Sequence, residues 1–154
     1  MSSTTTTTSS TTTASAAPRT RARLLPPRAE IRYRTAVPIL LLAAFTLSVV
    51  HTIYAWRSGL EDPEFNVTSP LAYCFYGVAF AMTALSRKDA RVAQVAVTAY
   101  LVAVLGIAIW YYPTTFTLEQ QTTFGWVEND VYVGLLVTSL ILSVLRLRRT
   151  ALVP

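Results

Sequence analysis

The chain has a single histidine, His51, and it stands inside an apolar run, just ahead of an acidic segment carrying Glu61, Asp62 and Glu64. An imidazole changes charge near neutral pH and can bind a metal through either ring nitrogen. An ionisable group within an apolar span is expensive to bury, so it is read as a functional-site candidate. His51 shares a stripe with Ala44, Ser48 and Ala55 at spacings of four, three and four, which turns it toward protein rather than lipid. Two readings follow. One is a neutral histidine bonded to a Tyr or Ser on a neighbouring helix. The other is a ligand-contacting or proton-accepting group.

Charged and aromatic residues that fall near His51 define a candidate outer mouth: His51, Tyr54, Arg57, Glu61, Asp62, Glu128 and Asp130. Its acidic side chains would attract cations. They are equally the solvated charges that an external loop requires. Their spacing matches no metal-ligand motif, so no metal site is assigned. Trp110-Tyr111-Tyr112-Pro113, Phe116 and Phe124-Gly125-Trp126 form an aromatic concentration at the same end. That reads as an interfacial belt, or as a surface that holds a lipid or a partner.

The elements that must hold these residues are apolar. Of 154 residues 53% are hydrophobic and only 14% charged, against about a quarter charged in soluble domains. The apolar residues concentrate in 36–56, 67–85, 92–112 and 131–147. Each stretch approaches the roughly 20 residues a helix needs to cross a hydrocarbon core. The expected fold is an all-α membrane protein, a four-transmembrane-helix up-down bundle over 36–149. Ahead of it lies a disordered leader, 1–35, and behind it a short cytoplasmic tail, 150–154. Residues 1–17 are almost wholly Ser, Thr and Ala and bury too little apolar surface to order themselves. A cleaved leader is the lesser reading, since no small-residue cleavage site follows the apolar run.

Charge fixes the expected orientation. Twelve of the thirteen basic residues fall on one side of a four-span arrangement, in the leader, the 86–91 turn and the C-terminus. Arg57 alone falls on the other, with six of the eight acids. Basic residues near helix ends mark the cytoplasmic face, so both termini are expected there. Trp56, Trp110 and Trp126 all fall at the opposite boundary. Arg28, Arg32, Arg34, Arg146, Arg148 and Arg149 would lie at lipid headgroups and attract anionic ones. Twelve Arg to one Lys fits a GC-rich bacterial genome and a bacterial cytoplasmic membrane.

Small residues are expected to form the packing seams. Ala96, Ala99, Ala103 and Gly106 make one stripe on the third helix and are also a candidate surface for self-association. Gly77 and Ala81, and Gly134 and Thr138, serve likewise on the second and fourth. Asn129 and Asp130 are placed to cap the fourth helix, with Glu128 beside them complementing its dipole.

Several classes are excluded. Cys74 is the single cysteine, so dithiol redox chemistry and an intrachain disulfide are impossible. One histidine cannot supply bis-His haem ligation. No phosphate loop or HExxH or GxSxG motif occurs, and nothing points to nucleic acid or a cofactor. A proton-coupled exporter needs a carboxylate inside a span, and on these boundaries every acid falls in a loop, a tail or a helix edge. The expected function is therefore a non-catalytic membrane component that binds a partner protein or a lipid. The alternatives are a small transporter or channel protomer acting as an oligomer, and a membrane enzyme using His51.

Overall fold

The computed structural model describes residues 27–60, 62–115 and 122–151, with side chains described over 34–60, 62–110, 114 and 122–148. The first 26 residues of the expected leader, Glu61, and the side chains of Arg28, Arg32 and Arg149 lie outside the described set. All regular structure among the described residues is helical: α1 Pro27–Ser58, α2 Pro70–Leu85, α3 Arg91–Thr115 and α4 Thr123–Ala151. Helices α1, α3 and α4 are long and apolar enough to cross a membrane, whereas α2 is a shorter apolar helix of 16 residues. At 1.5 Å per residue α2 reaches about 24 Å.

Local chemistry sets the helix ends. Gly59 closes α1 with φ +67. There the Leu60 N–H donates to the Ala55 carbonyl at 2.9 Å and the Gly59 N–H to that of Trp56 at 3.3 Å. This left-handed turn satisfies the last free carbonyls, and glycine adopts it without the Cβ penalty. Ser69 caps α2 by accepting from the Leu71 N–H at 3.2 Å, and Pro70 follows at the first helical position. Thr122 caps α4, its hydroxyl accepting from the Gly125 N–H at 3.0 Å. The cap is thus seven residues ahead of Asn129, and the expected caps Asn129 and Asp130 lie inside the helix. Similarly, α1 starts at Pro27, ahead of the apolar run, because its basic first turns continue the helix.

Each helix packs on two others: α1 on α2 and α4, and α3 on α2 and α4, with the α1–α4 and α3–α4 seams the most extensive. Val37, Leu41, Ala44 and Phe45 of α1 meet Ala79 of α2, Val97, Leu101 and Val104 of α3, and Leu136 of α4 in one buried cluster. Phe45 is wholly buried and faces the rings of Phe75, Phe80 and Tyr100 at 6.2–6.5 Å.

Most of the small residues expected at these seams are not the ones found there. Only the α1 stripe turns inward, with Ala44 fully buried. On α3 the buried face is Ala93, Val97, Leu101, Val104 and Ala108, while Ala99, Ala103 and Gly106 are exposed and Ala96 is half-buried. Gly77 and Ala81 on α2, and Gly134 and Thr138 on α4, are exposed as well. The buried positions combine the larger Leu, Val and Phe side chains with a different set of small residues, Ala72, Ala79 and Thr83 on α2, Ala93 and Ala108 on α3, and Ser139 and Ser143 on α4.

Candidate functional site

Helix α4 carries an unusual buried face. Gly125, Glu128, Tyr132, Leu136, Ser139, Ser143 and Arg146 recur at intervals of three and four, which is one side of a helix. All except Arg146 are buried, and Arg146 keeps 12% of its side chain exposed. Leu136 and Gly125 apart, every member is polar. The face therefore brings polar chemistry to both ends of the helix array.

At one end His51 Nδ1 lies 2.7 Å from Glu128 Oε2, with the two side chains 20% and 7% exposed. The approach satisfies the distance of an ion pair but not the angle of a hydrogen bond. A carboxylate sits inside a helix here, so the ground for setting aside a proton-coupled exporter does not hold. The polar triplet Glu128-Asn129-Asp130 hid this by interrupting the apolar run. The signal was periodic: Glu128 precedes Tyr132 by four and Leu136 by eight, whereas Asp130 falls off that face and is exposed.

A hydroxyl cluster surrounds the pair. The Tyr76 hydroxyl lies 3.1 Å from Ser48 Oγ and 2.7 Å from Thr52 Oγ1, and is 3.0 Å from the Ser48 carbonyl, to which it donates. These contacts tie α2 to the turn of α1 that carries His51. Tyr132 stands one turn below Glu128, within electrostatic range of Glu128, Tyr76 and Tyr100. The Tyr54 ring packs on Phe124 with centroids 4.6 Å apart, which adds an aromatic contact between α1 and α4 at the same end.

The remaining expected mouth residues are dispersed. Arg57 is exposed, its guanidinium 5.7 Å from the centre of the Trp56 ring. Asp62 accepts from the Glu64 N–H at 2.7 Å and shapes its own turn. His51 meets, among the described residues, the carboxylate of Glu128. Among the described residues no group of three or more His, Cys, Asp or Glu is placed to hold a metal ion.

The opposite end of the α4 face holds a second charged cluster. Arg146 contacts Asp89 Oδ1 at 2.6 Å and donates to the carbonyls of Ser86 at 2.7 Å and Lys88 at 3.3 Å. Asp89 Oδ2 also pairs with Arg34 of α1 at 3.1 Å. One carboxylate on the α2–α3 turn therefore links α1 and α4. Thr98 and Ser143 share a hydrogen bond of 2.8 Å nearby, and Gln94 donates to the Asp89 carbonyl at 3.2 Å. Arg146 is committed to this cluster, whereas Arg148 is exposed. A recess among Val37, Ser86, Gln94, Val97, Ser143 and Arg146 has a volume of about 10 Å³, room for one water. Sequence reasoning missed the cluster because Asp89 and Arg146 are distant in the chain and no periodicity links them.

No family model, characterised relative or solved structure matches the chain.

Proposed function

We propose that the chain is a multi-pass protein of a bacterial cytoplasmic membrane, with four spans in an up-down bundle and both termini on the cytoplasmic side. Its activity is non-catalytic: it binds a partner protein or a lipid at its outer aromatic rim. The observation that carries this reading is the filled interior. Phe45, Leu41, Leu101, Leu136, Val37 and Val97 are each under 2% exposed or close to it. Meanwhile Trp56, Trp126, Phe124 and Val127 are exposed at the rim. Arg34, Arg87, Lys88, Arg91 and Arg148 are exposed at the other end, as the positive-inside rule places them.

A second reading rests on Glu128. A buried carboxylate beside a histidine, on a largely polar helix face, is what a small proton-linked transporter or channel protomer would use within an oligomer.

Photo-crosslinking from positions 56 and 126 in intact cells, together with ion and proton flux in proteoliposomes, tests the two. Discrete adducts at the rim with no flux support the binding reading. Flux that disappears in His51→Gln overturns it in favour of the transporter.

A further inference from the structure

We propose that the α2–α3 turn holds the headgroup of an anionic phospholipid, with Arg87, Lys88 and Arg91 on its phosphate. The site lies at the opposite end of the bundle from the aromatic rim. It rests on the reading of these helices as membrane spans and goes beyond the binding assigned to the rim.

The turn is a fixed piece of backbone. The Arg87 N–H donates to the Ala84 carbonyl at 3.2 Å and the Lys88 N–H to that of Leu85 at 2.9 Å. Arg146 of α4 holds the carbonyls of Ser86 and Lys88, and Gln94 of α3 holds that of Asp89. Backbone ordered within the protein need not be ordered by a ligand, which lowers the cost of binding.

The charges on the turn divide by what they touch. Asp89 is spent, since its two carboxylate oxygens meet Arg34 and Arg146. Those two arginines, both expected at lipid headgroups, are thereby turned to protein. Arg87, Lys88 and Arg91 are exposed, and their side chains make no hydrogen bond or ion pair among the described residues. The sequence gives this side of the spans two acids, Asp89 and Glu30, against twelve basic residues. The side chain of Glu30 lies outside the described residues, and one carboxylate cannot offset an excess of that size.

Beside the three cations the surface is apolar. Val92 is 81% exposed and Val95 48%, directly after Arg91 on α3. Ala81 and Ala84 are exposed on the last turns of α2. A free anion or an acidic peptide in water would leave that surface uncovered, whereas acyl chains cover it. Cations set against a lipid-facing helix surface therefore fit an anionic amphiphile, and a basic residue near the membrane surface is worth about fivefold in affinity.

Native mass spectrometry of the full chain, released from nanodiscs of phosphatidylcholine and phosphatidylglycerol in equal amounts, reads the lipid retained. The wild-type chain should retain phosphatidylglycerol over phosphatidylcholine by at least about tenfold. Arg87→Gln, Lys88→Gln and Arg91→Gln together should abolish that preference. Each alone should reduce it about two- to fivefold, which keeps the reading if the triple variant fails to accumulate. Arg19→Gln, Arg21→Gln and Arg23→Gln together remove the same charge from the leader and should leave the preference in place. Inorganic phosphate in excess, against chloride at equal ionic strength, should not displace the lipid. Equal loss in the leader and turn variants would show a diffuse field rather than a site, and displacement by phosphate would show a site for free anions. Either result overturns the proposal. A chain that enters the nanodisc and retains both lipids alike overturns this proposal alone, whereas a chain that stays out of it overturns the membrane reading as well.

Discussion

His51 on α1 and Glu128 on α4 meet at 2.7 Å although 77 positions separate them in the chain, and both are withdrawn from solvent. The contact ties together the two helices that share the most extensive seam and places an ionisable pair at the end of the helix array that carries Trp56 and Trp126.

The buried face of α3 predicts how its residues respond to substitution. Leu101 is 0% exposed, so Leu101→Ala should destabilise by about 2–5 kcal/mol, the range for a leucine lost from a filled core. Ala99→Leu and Ala103→Leu, on the exposed side, should stay within about 0.5 kcal/mol. Thermal unfolding in detergent compares them. Equal effects from all three would mean that α3 is rotated from the orientation described. Unchanged unfolding with a change in oligomer size in Ala99→Leu would place the small-residue stripe between copies of the chain.

That reversal shows what was legible in the sequence. The apolar blocks and their lengths carried the helices, because hydropathy over a long window depends little on context. The inward turn of His51 was also readable from the α1 stripe. The packing faces of α2, α3 and α4 were not. Small residues permit close approach but do not require it, and which side of an all-apolar helix turns inward depends on partners elsewhere in the chain. Glu128 was misplaced because a local polar triplet outweighed a periodicity that runs across it.

The Asp89 cluster divides into strong and weak contacts. Arg146→Ala should cost about 2–3 kcal/mol, since it removes a charge-assisted donor to the carbonyl of buried Ser86 as well as an ion pair. Arg34→Ala should cost less than about 1 kcal/mol, because Arg34 and Asp89 are 62% and 58% exposed. Arg146→Lys should recover only part of the loss, as one ammonium cannot reproduce the planar fork of donors. Thermal unfolding of the three variants ranks them.

Tyr76 carries the polar link between α1 and α2. Tyr76→Phe keeps the ring contacts and removes the hydroxyl shared with Ser48 and Thr52, for an expected loss of about 1 kcal/mol. Thr52→Val should lower stability in the wild-type background and have a smaller effect in Tyr76→Phe, because the partner is already gone. Additive losses would show that the two hydroxyls act separately.

Orientation in the membrane is open to chemical labelling. In a Cys74→Ser background, cysteine at Glu64 should react with an impermeant thiol reagent in intact cells, and cysteine at Lys88 should react only after lysis. Both positions are exposed, so access to the reagent is set by the side of the membrane. Labelling of the Lys88 position from outside would reverse the assigned orientation.

The pairing of His51 with Glu128 is tested most directly by a double-mutant cycle on thermal stability in lipid nanodiscs. His51→Leu alone should cost about 3 kcal/mol by stranding a buried carboxylate. Adding Glu128→Gln should restore stability, so that the double variant unfolds at a higher temperature than His51→Leu, with a coupling of at least about 1 kcal/mol. Strictly additive losses, with the double variant the least stable of the set, would contradict the pairing and the outer site built on it.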